Sequence, residues 1–161
     1  MKTSLSLAAV ALALAACNPP ADKPAPAAEA TAAAVTAADA WCRPSPNGAK
    51  AGGCYVTLTA QTDDRLIGGS TPRAGELQVH EMKTENGMMK MAQLTEGLPL
   101  AAGQAVELAP GANHLMLIGL TAPLVAGETV PITLTFASAP EVTVQAAVRQ
   151  PTMAGMDHAA H

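Results

Sequence analysis

Seven of the eight methionines and all four histidines of this 161-residue chain fall into three short segments, His80–Met91, His114–Met116 and Met153–His161; the eighth methionine is residue 1. Methionine used as core filler would scatter along the chain. Neutral imidazole and soft thioether donors held side by side instead suit a soft, monovalent cation, and Cu(I) is the physiological one. Calcium or magnesium would require clustered carboxylates, which these segments lack, and zinc would make poor use of the thioethers.

Strand geometry is what brings such donors together. In Glu76 to Met82, Leu77 and Val79 share one face while Gln78, His80 and Met82 share the other, because successive side chains of a strand alternate. Asn86-Gly87 is a two-residue hairpin signal, and with those two residues at the turn, Met82 lies opposite Met91 and His80 is diagonal to Met91. In Asn113-His114-Leu115-Met116-Leu117 the same alternation puts His114 and Met116 on one face and the leucines on the other. Two such edges brought together make a site of two histidines and two or three methionines. Taken singly, each has a plainer role: a solvated histidine, or a methionine such as Met88 or Met89 filling a gap between sheets.

These segments belong to a predominantly β chain. Alternating or β-branched runs occur at 54–60, 76–82, 88–94, 104–108, 114–120, 129–136 and 141–148. Between them stand turn pairs, including Asn47-Gly48, Gly52-Gly53, Gly68-Gly69, Pro110-Gly111 and Ala126-Gly127. Short strands at this spacing, without helical stretches, predict an all-β antiparallel sandwich or small barrel over residues 36–150. With three aromatics (Trp41, Tyr55, Phe136), its core must be aliphatic. Nine Lys and Arg against thirteen Asp and Glu give a formal charge of -4, so nothing favours nucleic-acid binding. No Ser-His-Asp order, phosphate-binding glycine loop or placed carboxylate pair indicates an enzyme.

Residues 1–16 read as a secretory signal: Lys2 supplies the charge, and the apolar run from Leu5 to Ala16 is too short to span a bilayer. It ends in Leu14-Ala15-Ala16-Cys17, which resembles a bacterial lipoprotein signal with Cys17 lipidated at the mature N-terminus. Residues 17–35, rich in Ala and Pro, read as a disordered tether to a membrane. Cys42 and Cys54, with eleven residues between them, fit neither a redox Cys-x-x-Cys nor a zinc-finger pair. They read as a disulfide between neighbouring strands, or else as two free or metal-binding thiols.

Val79-His80-Glu81-Met82, Gly87-Met88-Met89-Lys90-Met91 and Leu108-Ala109-Pro110-Gly111 leading into His114-Leu115-Met116 resemble the periplasmic copper chaperones of the PCuAC family. Ten residues separate His80 from Met91 and twenty-two separate Met91 from His114, close to the family's signature of a His, a Met and a His-x-Met. Trp41, Pro44, Gly48 and Tyr55 extend the similarity over most of residues 39–148. The resemblance implies a cupredoxin-like barrel in the bacterial periplasm that carries Cu(I) near its surface and delivers it to the copper centres of respiratory cytochrome oxidase. It implies His80, Met91, His114 and Met116 as ligands, with Met82 and Met89 auxiliary.

The tail, residues 151–161, offers Met153, Met156, His158 and His161 in a flexible segment that would bind a second copper ion, Cu(II) through imidazole and Cu(I) through thioether; the alternative is a terminus of incidental composition. Two other classes compete. A blue-copper electron carrier needs a Cys ligand close to a His and a Met, and Cys42 and Cys54 are remote from both motifs. A copper-sequestering or purely structural lipoprotein is the other.

Overall fold

The computed structural model describes residues 34–151. The signal segment, Cys17, the tether through residue 33 and the tail residues Met153, Met156, His158 and His161 lie outside the described residues. Within them the chain is all β: β1 Val35–Cys42, β2 Ala51–Ala60, β3 Asp64–Ser70, β4 Ala74–Glu85, β5 Met88–Gln93, β6 Leu98–Leu100, β7 Ala105–Glu107, β8 His114–Leu120, β9 Thr129–Phe136 and β10 Val142–Val148. Seven of these form a closed barrel in the order β4-β8-β2-β1-β10-β9-β3, and β3 returns to β4 through the pair Gly69 and Leu77. Its ladders are antiparallel except that β1 and β10 run parallel, which joins the first and last strands. Closure removes the free sheet edges that an open sandwich would expose.

Alternation explains which side chains fill the barrel. Along β9, Val130, Ile132, Leu134 and Phe136 are buried, while the residues between them are more exposed. Cys54, Val56, Leu58 and Ala60 of β2, Leu77 and Val79 of β4, and Leu115 and Leu117 of β8 point inward in the same way. Phe136 and Tyr55 are the only buried aromatic residues among the described ones; aliphatic side chains supply nearly all of the core's apolar burial. Cys42 and Cys54 sit opposite each other on β1 and β2, fully buried, and are joined by a disulfide with a Cα–Cα distance of 4.0 Å.

Several expectations are corrected. Val35, read as the end of the tether, opens β1 and is buried. Gly52-Gly53 and Gly68-Gly69, read as turns, lie inside β2 and β3. At two of these positions neighbours leave no room for a side chain: a Cβ on Gly52 would stand 2.8 Å from Leu124 Cδ1, and one on Gly69 would stand 2.3 Å from the Thr133 carbonyl oxygen. Gly69 occupies the junction where β3 meets both β4 and β9. Asn86-Gly87 does form the hairpin turn, with both residues at positive φ (53° and 78°), as a type I′ turn requires.

Two expectations follow for stability. Gly69→Ala forces a side chain against backbone at barrel closure and should destabilise the domain by at least the roughly 1–3 kcal/mol typical of overpacking, read by urea unfolding; an unchanged midpoint would show that the junction yields. Replacing both Cys42 and Cys54 by Ala, or reducing the bridge, should cost about 2–3 kcal/mol, because the bridge closes a loop of only twelve residues' separation. The check is a comparison of melting curves with and without reductant.

Candidate metal centre

The site begins with the β4–β5 hairpin. The ladder pairs Met82 with Met91 and His80 with Gln93, so His80 is diagonal to Met91. On its other side β4 pairs with β8, and there His80 stands directly opposite His114 and Gln78 opposite Met116. Opposed residues of a ladder share a face, so His80, Met82, Met91, His114 and Met116 all stand on the outer face of the barrel, behind the inward Leu77, Val79, Leu115 and Leu117. The two imidazole rings lie 5.7 Å apart between centroids, inclined at 42°.

Exposure grades across this face. Met89 and Met91 are 58% and 48% exposed, Met82, His80 and Met116 are half-buried, and His114 is only 7% exposed. The expectation of a site near the surface therefore needs correction at His114, the one buried polar or charged side chain among the described residues. Met89 pairs with Thr84, two positions before Met91 on β5 and nearer the turn, and Met88 faces the opposite side with Lys83, Glu85 and Lys90. Neither methionine fills a gap between sheets: Met88 is 61% exposed. Beside Met116 on β2 comes Gly53, and a Cβ there would approach the Tyr55 hydroxyl to 3.2 Å. Tyr55 in turn stacks on Trp41 at 4.4 Å, with the Arg149 guanidinium over the Trp41 ring.

Hydrogen bonds set what the rings offer. His114 Nδ1 donates to the Ala112 carbonyl at 3.0 Å, leaving Nε2 as the nitrogen with a free lone pair. His80 Nε2 lies 2.8 Å from Gln78 Oε1, and His80 Nδ1 is buried with no hydrogen-bond partner. Burial first, and the neighbouring His114 ring second, hold the His80 pKa below the usual imidazole value, which favours the neutral form a metal needs. Glu81, Lys83 and Glu85 face away from the donors, and the carboxylate on the donor side of β4 is that of Glu76, two residues before Gln78 and held by its amide. Among the described residues no group of three or more His, Cys, Asp or Glu comes together. A zinc or hard-cation centre has no ligand set there, whereas two imidazoles flanked by thioethers match a soft monovalent ion. The disulfide also leaves no thiolate for a blue-copper ligand set among those residues.

A cleft of about 360 Å³ lies elsewhere, lined by Asp39, Trp41, Thr57, Glu107, Pro110 and Arg149 among others, and contains no His or Met. It is separate chemistry from the donor face, although the loop through Pro110 runs on into His114. Gln78 lies on the donor face by alternation but, like Glu76, is of a residue type that the motif does not mark as a donor. Their signal was the alternation itself, since Glu76, Gln78 and His80 are every second residue of one strand.

The family model described as "Putative lipoprotein LpqE-like" matches residues 35–148. A relative from Leifsonia xyli subsp. xyli, "Putative lipoprotein Lxx21020", is 36% identical over 102 residues, 63% of this chain; the chain spans about three fifths (61%) of that relative's length. Among solved structures, the Cu(I) form of DR1885 from Deinococcus radiodurans superimposes with a TM-score of 0.58 at 32% identity, covering 76% of this chain and 83% of the other. The copper-bound PCuAC domain of PmoF2 gives a TM-score of 0.60 at 26% identity, over 74% of this chain and 97% of the other. The chain belongs to the LpqE-like family and, with it, to the PCuAC domain proteins.

Proposed function

We propose that this protein is an extracytoplasmic copper chaperone whose cargo is Cu(I), held by His80, Met91, His114 and Met116, with Met82 as an auxiliary donor. The observation that carries the reading is the ladder pair His80 and His114, each ring with a nitrogen that makes no hydrogen bond, on a face flanked by thioethers. The solved structures that the barrel matches include Cu(I)-bound and copper-bound forms, which supports the same cargo.

The mechanism is transfer by ligand exchange. Neutral donors bind Cu(I) without neutralising its charge, so a partner's stronger ligands are able to displace them one at a time. The graded exposure gives a direction: the exposed Met91 thioether leaves first and the buried His114 last. The recipient in this proposal is the copper-site subunit of cytochrome oxidase or another copper carrier. A lipid on Cys17 would hold the protein at a bacterial membrane facing the periplasm, and the lipoprotein names of its relatives support that placement. Met153, Met156, His158 and His161 would take a second copper ion, Cu(II) included.

Anaerobic titration with Cu(I) against a chromophoric chelator tests the site. His114→Ala and Met116→Ala should each lose most Cu(I) binding while keeping the wild-type β-sheet circular dichroism; wild-type titrations from both variants would sink the ligand assignment. Deleting residues 152–161 should remove the second copper equivalent and leave the first. In the metal-free protein, His114→Ala should also lower stability by roughly 1–2 kcal/mol, since a buried ring and its hydrogen bond to Ala112 are both removed. Chemical denaturation without copper isolates that contribution.

A further inference from the structure

The polar network behind His80 reads in one direction only. The Glu76 carboxylate accepts hydrogen bonds and, when ionised, cannot donate them, so the Gln78 amide nitrogen must be the group that reaches it, at 2.9 Å. That fixes the orientation of the Gln78 amide and turns its carbonyl oxygen toward His80. A carbonyl oxygen also only accepts, so the His80 nitrogen 2.8 Å away, Nε2, carries the proton. In the neutral ring the lone pair then resides on Nδ1, the atom that is buried and has no partner. At His114 the same logic gives the opposite result, because the Ala112 carbonyl holds Nδ1–H and leaves Nε2 as the lone-pair nitrogen.

We infer that His80 binds its cargo through Nδ1 and His114 through Nε2, and that Gln78, anchored by Glu76, is the positioning residue that holds His80 in the tautomer this requires. The inference rests on the Cu(I) reading above and adds to it which nitrogen each ring contributes and what fixes it. A free imidazole interconverts between tautomers, and each molecule found in the wrong one must relocate a proton before Nδ1 accepts a metal bond. The Glu76–Gln78–His80 chain removes that step. It is built into β4 by side chains at alternate positions of one strand, so the strand that supplies the ligand also supplies its support. An uncompensated buried acceptor at Nδ1 is the cost of this arrangement in the metal-free protein, and a bound cation satisfies it.

The test uses the full chain, with long-range ¹⁵N–¹H NMR of the histidine rings in the metal-free state and chelator competition with Cu(I). In wild type, His80 should show the Nε2–H pattern and His114 the Nδ1–H pattern. Gln78→Leu should convert His80 to a mixed or Nδ1–H pattern and weaken Cu(I) binding by about tenfold or more, with the His114 pattern unchanged as the control for folding. Gln78→Glu keeps an acceptor beside Nε2 and should restore both the His80 pattern and most of the affinity. A wild-type His80 protonated on Nδ1, or a Gln78→Leu protein matching wild type in both measurements, overturns the inference while leaving Cu(I) binding intact as a function. Failure of the wild-type chain to bind Cu(I) overturns the function and the inference together.

Discussion

The ladder between β4 and β8 is the constraint on which the rest depends. Its register sets His80 opposite His114 and Gln78 opposite Met116, and the same register sets Leu77 opposite Leu117 and Val79 opposite Leu115. Core and site are the two faces of one ladder. A slip by one residue would carry leucines to the outside and imidazoles into the barrel, so burial of the leucines enforces the alignment of the donors. A site of weak neutral donors can stay adjustable because the alignment is maintained from the other face.

The barrel guards that register by closing on itself. The approach of β3 to β4 and β9 is close enough that only glycine fits at position 69, and the parallel pairing of β1 with β10 ties the two ends of the domain together. The Cys42–Cys54 bridge fastens β1 to β2, two strands removed from β4. Past the barrel rim, β4 continues to Glu85 and pairs only with β5, every residue of which is exposed. The donors thus extend from a rigid wall, at His114, to a projecting hairpin, at Met91. That combination fits the proposed cargo, which must be both held and released.

Much of this was legible because strands have a period of two. The faces of Glu76–Met82 and His114–Leu117, and the pairing of Met82 with Met91 through Asn86-Gly87, followed from local rules alone. The elements that escaped were those whose local signals pointed elsewhere. The segment Val35–Cys42 is alanine-rich, follows an Ala/Pro stretch and contains a bulge with Asp39 at positive φ, which disrupts simple alternation. The Gly-Gly pairs in β2 and β3 look like turns until the Leu124 side chain against Gly52 and the Thr133 backbone against Gly69 are known.

The sequence by itself determined which residues are candidate donors and which face of its own strand each one occupies, since alternation and turn type are properties of a few consecutive residues. Only the tertiary structure decided that β4 lies beside β8, that His114 is buried, and which ring nitrogen of each histidine is free. Those outcomes depend on contacts between segments some thirty residues apart, or on whether water reaches a particular atom. No local pattern encodes either; they exist only once the barrel has closed.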